Sequence, residues 1–167
     1  ATTALKKDDG VAGGAGKEVS PVRRLAVVGS GFLGAGLAGT AMLNAEVEVR
    51  LKDAELPRVA RGLRAATRIL DERLKRRRLT RPAQARLAAL LSGTADYSGF
   101  GRTDLVIEAV FEDLAVKRQV LAEVEARIPA DATFASNTST IPIAEIAAGA
   151  RRPGRVLGMH FFSPVEK

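Results

Sequence analysis

Three glycines that follow an apolar run near the start of the chain constrain its fold more than any other feature. Residues 24–40 read RLAVVGSGFLGAGLAGT, with the apolar run at 25–28 and glycines at 29, 31 and 34. In a strand–turn–helix unit, Gly29 permits the tight turn, Gly31 leaves the backbone open to close approach, and Gly34 lets the helix pack against the strand. The N–H groups at the start of such a helix favour an anion. The stretch therefore predicts the opening unit of an α/β domain.

An acidic residue downstream of the glycines indicates which dinucleotide would bind there. Asp53 lies nineteen residues after Gly34 and ends the second predicted strand. A carboxylate there can accept both ribose hydroxyls of a dinucleotide and would repel a 2′-phosphate, which favours NAD over NADP. Arg50 and Lys52 are nearby cations that could soften that repulsion. In the alternative interpretation, the glycines serve helix packing only and Asp53 caps a helix.

The remaining pattern alternates strands with helices, which predicts a doubly wound, mostly parallel sheet. Two helices rich in Lys and Arg form a hairpin that is expected to protrude between the second strand and the next. Residues 1–21 are small, polar and Gly-rich and are interpreted as a flexible linker, followed by one domain over 22–167. We expect strands at 25–29, 47–51, 105–110, 133–135 and 155–160, and helices at 32–43, 56–78, 80–91, 113–128 and 141–148.

The charge of the chain is concentrated in the predicted hairpin. The net charge is +7 over 167 residues, and the segment 58–86 holds eleven Lys and Arg against two acids, so it carries +9 and the rest −2. The chain has no cysteine and one histidine, which excludes Cys-based and multi-His metal centres. No apolar run is long enough for a membrane helix and no signal peptide is visible, so a cytoplasmic location is expected.

Three later segments carry a resemblance to a known family. They read DLVIEAVFEDLAVKRQVL, FASNTSTIPIAEIA and RPGRVLGMHFFSPVEK, and with ALKKD and LSGTADYSGF they extend over nearly the whole chain. The sequence resembles the 3-hydroxyacyl-CoA dehydrogenases, most of all the dehydrogenase part of the multifunctional fatty-acid oxidation α chains. The resemblance implies a Rossmann-type NAD-binding domain of an enzyme that oxidises (S)-3-hydroxyacyl-CoA to 3-oxoacyl-CoA in β-oxidation. It also implies an attached enoyl-CoA hydratase, which is a lyase, and a thiolase β subunit as partner.

The same resemblance implies the roles of individual residues. His160 would be the general base and Ser139 would hydrogen-bond the substrate oxygen, while Ser163 would join them in binding substrate. Cofactor contacts are expected from these positions: Gly29, Gly31, Leu33, Gly34, Asp53, Ala109, Val110, Phe111, Glu112, Lys117, Asn137 and Ser139. Lys117 could supply a cation to the cofactor, and Asn137 would shape its loop. No metal is expected.

Structural alternatives stand beside several of these roles. His160 could be a satisfied structural histidine. Thr138 and Ser139 could cap the helix that follows, and Glu112 with Asp113 could simply favour a helix N-terminus.

The sequence also departs from the family pattern in three places. The family often has Asn where this chain has Ser163. Glu46 stands where relatives often place Gly, so a helix C-cap there must adopt a left-handed backbone. The family's His works with a Glu about a dozen positions later, and the chain ends at Lys167. We expect this chain alone, without that Glu and the helical domain that follows in the family, to bind NAD but to turn over poorly.

The basic hairpin leaves two functions and one structural alternative open. In the family, a helical pair at this place flanks coenzyme A, whose phosphates would attract arginines within 61–78. A solvated helix face is the structural alternative. Nucleic-acid binding is a rival, disfavoured because the basic run has almost no aromatic residues. A non-catalytic NAD-binding module is a further alternative, disfavoured by the SNTS segment and His160.

Overall fold

The structure is a computed structural model, and it describes residues 20–162. The expected linker thus lies, apart from Ser20 and Pro21, outside the described residues, and so does Ser163. Six strands form one sheet: β1 (Arg24–Val28), β2 (Glu48–Lys52), β3 (Leu91–Thr94), β4 (Leu105–Glu108), β5 (Thr133–Ser136) and β6 (Val156–Gly158). Five α-helices accompany them: α1 (Phe32–Ala45), α2 (Leu56–Lys75), α3 (Arg81–Ala88), α4 (Leu114–Glu125) and α5 (Ile143–Ala147).

All neighbouring strands of the sheet are parallel, and their order is β3-β2-β1-β4-β5-β6. The strand order reverses between β1 and β4. After β1 the chain continues to helices on one face of the sheet, and after β4 it continues to helices on the other face. A crevice opens at such a switch point in doubly wound sheets. The predicted Rossmann-type fold is confirmed, and the crevice lies directly beyond the glycine turn.

The two faces of the sheet carry two apolar clusters, because successive residues of a strand point to opposite sides. In β1, Leu25 and Val27 join the cluster beneath α1 and α2. Ala26 and Val28 join the cluster beneath α4 and α5. β1 is thus covered on both faces, as its unbroken apolar run predicts.

The strand β3 was missed from the sequence, and the helix expected over 80–91 is shorter than predicted. α3 ends at Ala88, and residues 91–94 instead pair with β2 in the register Val49↔Leu91. The segment LSGT has little strand signal because it contains one large apolar residue and a glycine. That glycine is needed here, since a Cβ on Gly93 would lie 2.5 Å from Cγ1 of Val59.

The basic helical pair lies between β2 and β3, and its inner face is packed rather than free. Val59, Ala66 and Leu70 of α2 are buried. A Cβ on Gly39 of α1 would lie 2.5 Å from Cδ1 of Ile69, so α1 and α2 pack closely. Within residues 20–162, no helix combines the length and the apolar character needed to cross a bilayer.

Candidate dinucleotide and catalytic site

The glycine turn has the geometry that the sequence predicts. Gly29 has φ +101°, and a Cβ there would lie 2.5 Å from the carbonyl oxygen of Ala109, so β1 and the segment after β4 approach too closely for a side chain. A Cβ on Gly34 would lie 1.8 Å from the carbonyl oxygen of Gly29. Gly31 differs, because no atom lies within 4 Å of the position its Cβ would take. It is exposed and begins α1 as its N-cap, so the open space in front of it is available to an anion.

Asp53 lies beside the glycine turn and is held there by the turn itself. Its Oδ2 accepts hydrogen bonds from the Ser30 N–H at 2.8 Å and the Ser30 hydroxyl at 2.7 Å, and Oδ1 accepts from the Ala54 N–H at 2.8 Å. Burial alone would raise the pKa of the Asp53 carboxyl, but these hydrogen bonds and the nearby Arg58 hold it below its usual range. The carboxylate is therefore ionised at neutral pH and fixed in direction.

The cation beside Asp53 is not one of those that the sequence suggested. The Arg50 Nε donates to the Ser98 carbonyl at 2.9 Å, and the Lys52 Nζ lies 4.5 Å from the centroid of the Tyr97 ring. Both follow from strand alternation, which directs residues 50 and 52 to the same face and Asp53 to the other. Arg58 of α2 is the neighbour instead, with its Nη1 3.9 Å from the Asp53 Oδ1. Neither Ser30 nor Arg58 was predicted, since their roles depend on how α2 returns to the glycine turn.

The segment after β4 completes the edge of the crevice. Ala109 and Val110 are half-buried next to Gly29, whereas Phe111 is 80 % exposed. Leu33 is half-buried in the first turn of α1. The sheet thus brings together the residues expected to contact the cofactor, although they come from four separate stretches of sequence.

Ser139 and His160 line one open cleft of about 430 Å³, formed by the segment after β5 and the segment after β6. Both residues are exposed, so their polar groups are accessible. The His160 ring lies 4.8 Å from the Phe162 ring, centroid to centroid. The cleft belongs to the carboxyl edge of the sheet, where the crevice of a doubly wound fold takes its ligand.

Hydrogen bonds from two side chains tie these segments to the rest of the domain. The Asn137 Oδ1 accepts from the Phe161 N–H at 2.9 Å, directly after His160. The Glu112 Oε1 accepts from the Thr138 hydroxyl and from the Ser139 N–H at 3.1 Å. Burial would raise the pKa of Glu112, but the hydrogen bonds from Thr138 and Lys117 dominate and lower it to about 2. Glu112 therefore holds the Ser139 segment as a carboxylate.

The capping alternatives are resolved residue by residue. Asp113 is the N-cap of α4, and its Oδ1 accepts from the Val116 N–H at 2.9 Å, whereas Glu112 reaches across to the Ser139 segment. Thr138 accepts from the Ile141 N–H at 3.1 Å and so closes the turn before α5. α5 itself begins after Pro142 without a side-chain cap.

Lys117 occupies a different place from the one expected. Its side chain is 0 % exposed, and its ammonium lies 2.9 Å from Oε1 of Glu108 and 3.2 Å from Oε2 of Glu112. It offers no surface to a ligand, so any influence on the cofactor passes through these carboxylates. Glu108 was not predicted as a functional residue, although a charged residue at the end of the apolar run LVI is the signal that could have found it. The described part of the chain contains no cluster of side chains placed to hold a metal ion.

A parallel sheet with a glycine turn, an acid after β2 and an open anion site at its switch point defines a dinucleotide-binding domain. Residues 24–167 match the family model described as 3-hydroxyacyl-CoA dehydrogenase, NAD binding domain. The chain belongs to this family, and the predictions of the family and of NAD as cofactor are confirmed.

Known relatives agree with this assignment. The chain is 41 % identical over 167 residues to the fatty acid oxidation complex subunit alpha of Shewanella baltica, and it spans only 23 % of the length of that protein. The crystal structure of (S)-3-hydroxybutyryl-CoA dehydrogenase PaaH1 from Ralstonia eutropha is similar with a TM-score of 0.82 and 32 % identity, covering 87 % of this chain and 51 % of that one. The 3-hydroxybutyryl-CoA dehydrogenase from Escherichia coli K12 gives a TM-score of 0.82 and 35 % identity, covering 87 % of this chain and 31 % of that one.

Proposed function

We propose that this chain is the NAD-binding part of an enzyme that oxidises (S)-3-hydroxyacyl-CoA to 3-oxoacyl-CoA in fatty-acid β-oxidation. The observation that carries the proposal is the cleft shared by Ser139 and His160, at the same edge of the sheet as the glycine turn and Asp53. An attached enoyl-CoA hydratase and a thiolase partner are predictions from the resemblance, and a cytoplasmic location stays a prediction from the sequence. Family membership and the oxidation complex relative support the first two.

The roles of the side chains follow from the chemistry of the alcohol. Oxidation removes a hydride from C3 and a proton from its hydroxyl, and NAD⁺ supplies the hydride acceptor. His160 takes the hydroxyl proton, since a neutral imidazole carries a nitrogen lone pair that can accept it. The Ser139 hydroxyl donates a hydrogen bond to the same oxygen and so orients it toward His160. Asp53 accepts the ribose hydroxyls, and the open space before Gly31 takes the pyrophosphate.

A basic stripe on α2, formed by Arg61, Arg64, Arg68 and Lys75, supports an acyl-CoA substrate. These side chains are exposed and recur at helical spacing on one face, while the opposite face is buried against α1. Arginine recognises phosphate through its planar fork. We assign the stripe to the phosphates of coenzyme A.

Calorimetric titration with NADH and NADPH tests the cofactor half of the proposal. We expect NADH to bind and NADPH to bind at least 10-fold more weakly, because the Asp53 carboxylate is held as an anion by Ser30. Asp53→Ala should weaken NADH binding and reduce the preference. Equal affinity of the unmodified chain for both nucleotides would contradict the assignment of Asp53.

A His160→Gln variant in the full protein that carries this chain tests the catalytic half. Loss of a general base lowers kcat by about 10²- to 10⁴-fold. Met159→Leu is the matched control, because it changes a neighbouring residue of the cleft at nearly constant volume. If His160→Gln oxidised 3-hydroxyacyl-CoA at the unmodified rate, His160 would not be the general base. If the unmodified full protein bound NADH but did not oxidise 3-hydroxyacyl-CoA, the chain would be a non-catalytic NAD-binding module.

A further inference from the structure

A fully buried ion pair lies beneath the candidate catalytic cleft. Glu108 at the end of β4 and Lys117 in α4 are both 0 % exposed, and the Lys117 Nζ lies 2.9 and 3.1 Å from the two carboxylate oxygens of Glu108. Two charges at such depth are strongly destabilising unless further hydrogen bonds satisfy them. The other groups that hydrogen-bond to Glu108 and Lys117 therefore indicate which segments the ion pair holds in place.

Glu108 accepts two further hydrogen bonds, one from the segment that follows its own strand and one from β5. Its Oε1 accepts from the Val110 N–H at 2.8 Å, in the segment that borders the glycine turn. Its Oε2 accepts from the Ser136 hydroxyl at 2.6 Å, at the end of β5. The carboxylate thus fixes the ends of β4 and β5 relative to each other, immediately before the chain enters the Ser139 segment.

Lys117 uses its remaining capacity on two groups outside the strands. Its Nζ donates to the carbonyl oxygen of Asn137 at 3.1 Å and lies 3.2 Å from Oε2 of Glu112. Glu112 in turn accepts from the Ser139 N–H. The Asn137 side chain accepts from the N–H of Phe161, the residue after His160. The Lys117 ammonium is thus linked to the Ser139 segment through Glu112 and to the segment of His160 through Asn137.

We infer that Lys117, held in place by Glu108, is the positioning residue that fixes the Ser139 segment relative to the turn that carries His160. Ser139 and His160 lie on exposed parts of the two segments, whereas the Lys117 side chain is 0 % exposed. Charge-assisted hydrogen bonds to it are stronger and more directional than neutral ones. The geometric statement is independent of the reaction, and only the roles of Ser139 and His160 rest on the proposed function.

The alternative is that the ion pair only stabilises the fold. A double variant distinguishes this structural role from the positioning role. Glu108→Gln with Lys117→Met removes both charges at nearly constant volume, and such replacement of a buried pair is often neutral for stability. The glutamine retains an acceptor for the Val110 N–H and a donor for the Ser136 hydroxyl. The contacts of Lys117 with the Asn137 carbonyl and the Glu112 carboxylate are lost. Val124→Ala is the control, because Val124 is buried on the same helix about two turns beyond Lys117.

The experiment uses the single histidine of the chain, which gives an unambiguous imidazole NMR signal. In the unmodified chain we expect one sharp His160 signal. In the double variant it should broaden or split while the melting temperature changes little, whereas Val124→Ala should lower the melting temperature and leave the signal sharp. Asn137→Ala, which cuts only the link to Phe161, should reproduce the disturbance and serves if the double variant does not fold.

The full protein gives a second readout for the same variants. Because a misplacement of about 1 Å can lower a rate 10²-fold, the double variant should lower kcat at least 10-fold with a smaller change in KM. An unchanged His160 signal in the folded double variant, or in Asn137→Ala if the double variant does not fold, would overturn the inference. An altered signal in a protein with no dehydrogenase activity would instead refute the proposed function and leave the positioning intact.

Discussion

The substitution Gly31→Ala distinguishes a nucleotide-binding role of the glycine turn from a role in helix packing alone. It can do so because the fold leaves space for a side chain at this position. No atom lies within 4 Å of the added Cβ, and the φ of −65° is one that alanine adopts readily. The smaller entropy of the unfolded chain stabilises the variant by about 0.4–1 kcal/mol, while loss of a glycine N-cap destabilises it by a similar amount. The free energy of unfolding should therefore change by less than about 0.5 kcal/mol.

Nucleotide binding should respond very differently. A methyl group at Gly31 occupies the space before the first turn of α1, where a pyrophosphate would accept backbone hydrogen bonds. Loss of one charge-assisted hydrogen bond corresponds to about 1.5–3 kcal/mol. The Kd for NADH should then rise about 10- to 100-fold.

Fluorescence titration with NADH measures the affinity, and the absence of tryptophan keeps the protein background low. Urea denaturation supplies the stability. Gly34→Ala is the contrasting variant, since its Cβ would lie 1.8 Å from the Gly29 carbonyl oxygen, and it should be destabilised by at least 1–3 kcal/mol, the range for about one extra methylene in a packed core. If Gly31→Ala bound NADH with unchanged affinity, the pyrophosphate would not pass over this residue, and the glycines would serve packing only.

Three further predictions concern the helical pair and the site. Arg77 has φ +54°, so Arg77→Gly should stabilise the chain by about 1 kcal/mol in urea denaturation, whereas Arg76→Gly, at φ −80°, should destabilise it; equal effects would refute the strain argument. Because the pKa of Glu112 is lowered from 4.5 to about 2, its contribution to stability is complete above pH 4.5 and is lost as the pH falls toward 2. The difference in unfolding free energy between the unmodified chain and Glu112→Gln should shrink over that window, and a difference independent of pH would contradict it. Reversing the charges of the basic stripe should raise KM for acyl-CoA in the full protein, and an unchanged KM would exclude the stripe from substrate binding.

Much of the local structure could be predicted because it depends on neighbours in sequence. Thr80, a residue type that favours helix N-caps, caps α3 by accepting from the Ala83 N–H. Glu46 ends α1 with φ +52°, the left-handed backbone that its position required. The boundaries were less accurate. α2 stops at Lys75 rather than at 78, because the turn at Arg77 interrupts a pattern that the sequence alone continues.

The errors at the site have a common origin in side-chain direction. Strand alternation directs Lys52 away from Asp53 and onto Tyr97, although the two residues are adjacent in sequence. Lys117 was expected to supply a cation to the cofactor because the segment VFEDLAVK matches family residues near it. Its burial depends on Glu108, nine residues earlier, which no local pattern marks as a partner.

The sequence by itself determined the glycine turn, the acid after the second strand, the cofactor class and the residues expected to do the chemistry, because each follows from spacing along a single strand–turn–helix unit or from a family motif. The tertiary structure decided which of these residues meet. Parallel strands place the ends of β1, β2, β4, β5 and β6 at one edge, although their residues are up to about 130 positions apart. It also decided which charges are buried, since desolvation is imposed by neighbours that only the folded sheet brings together.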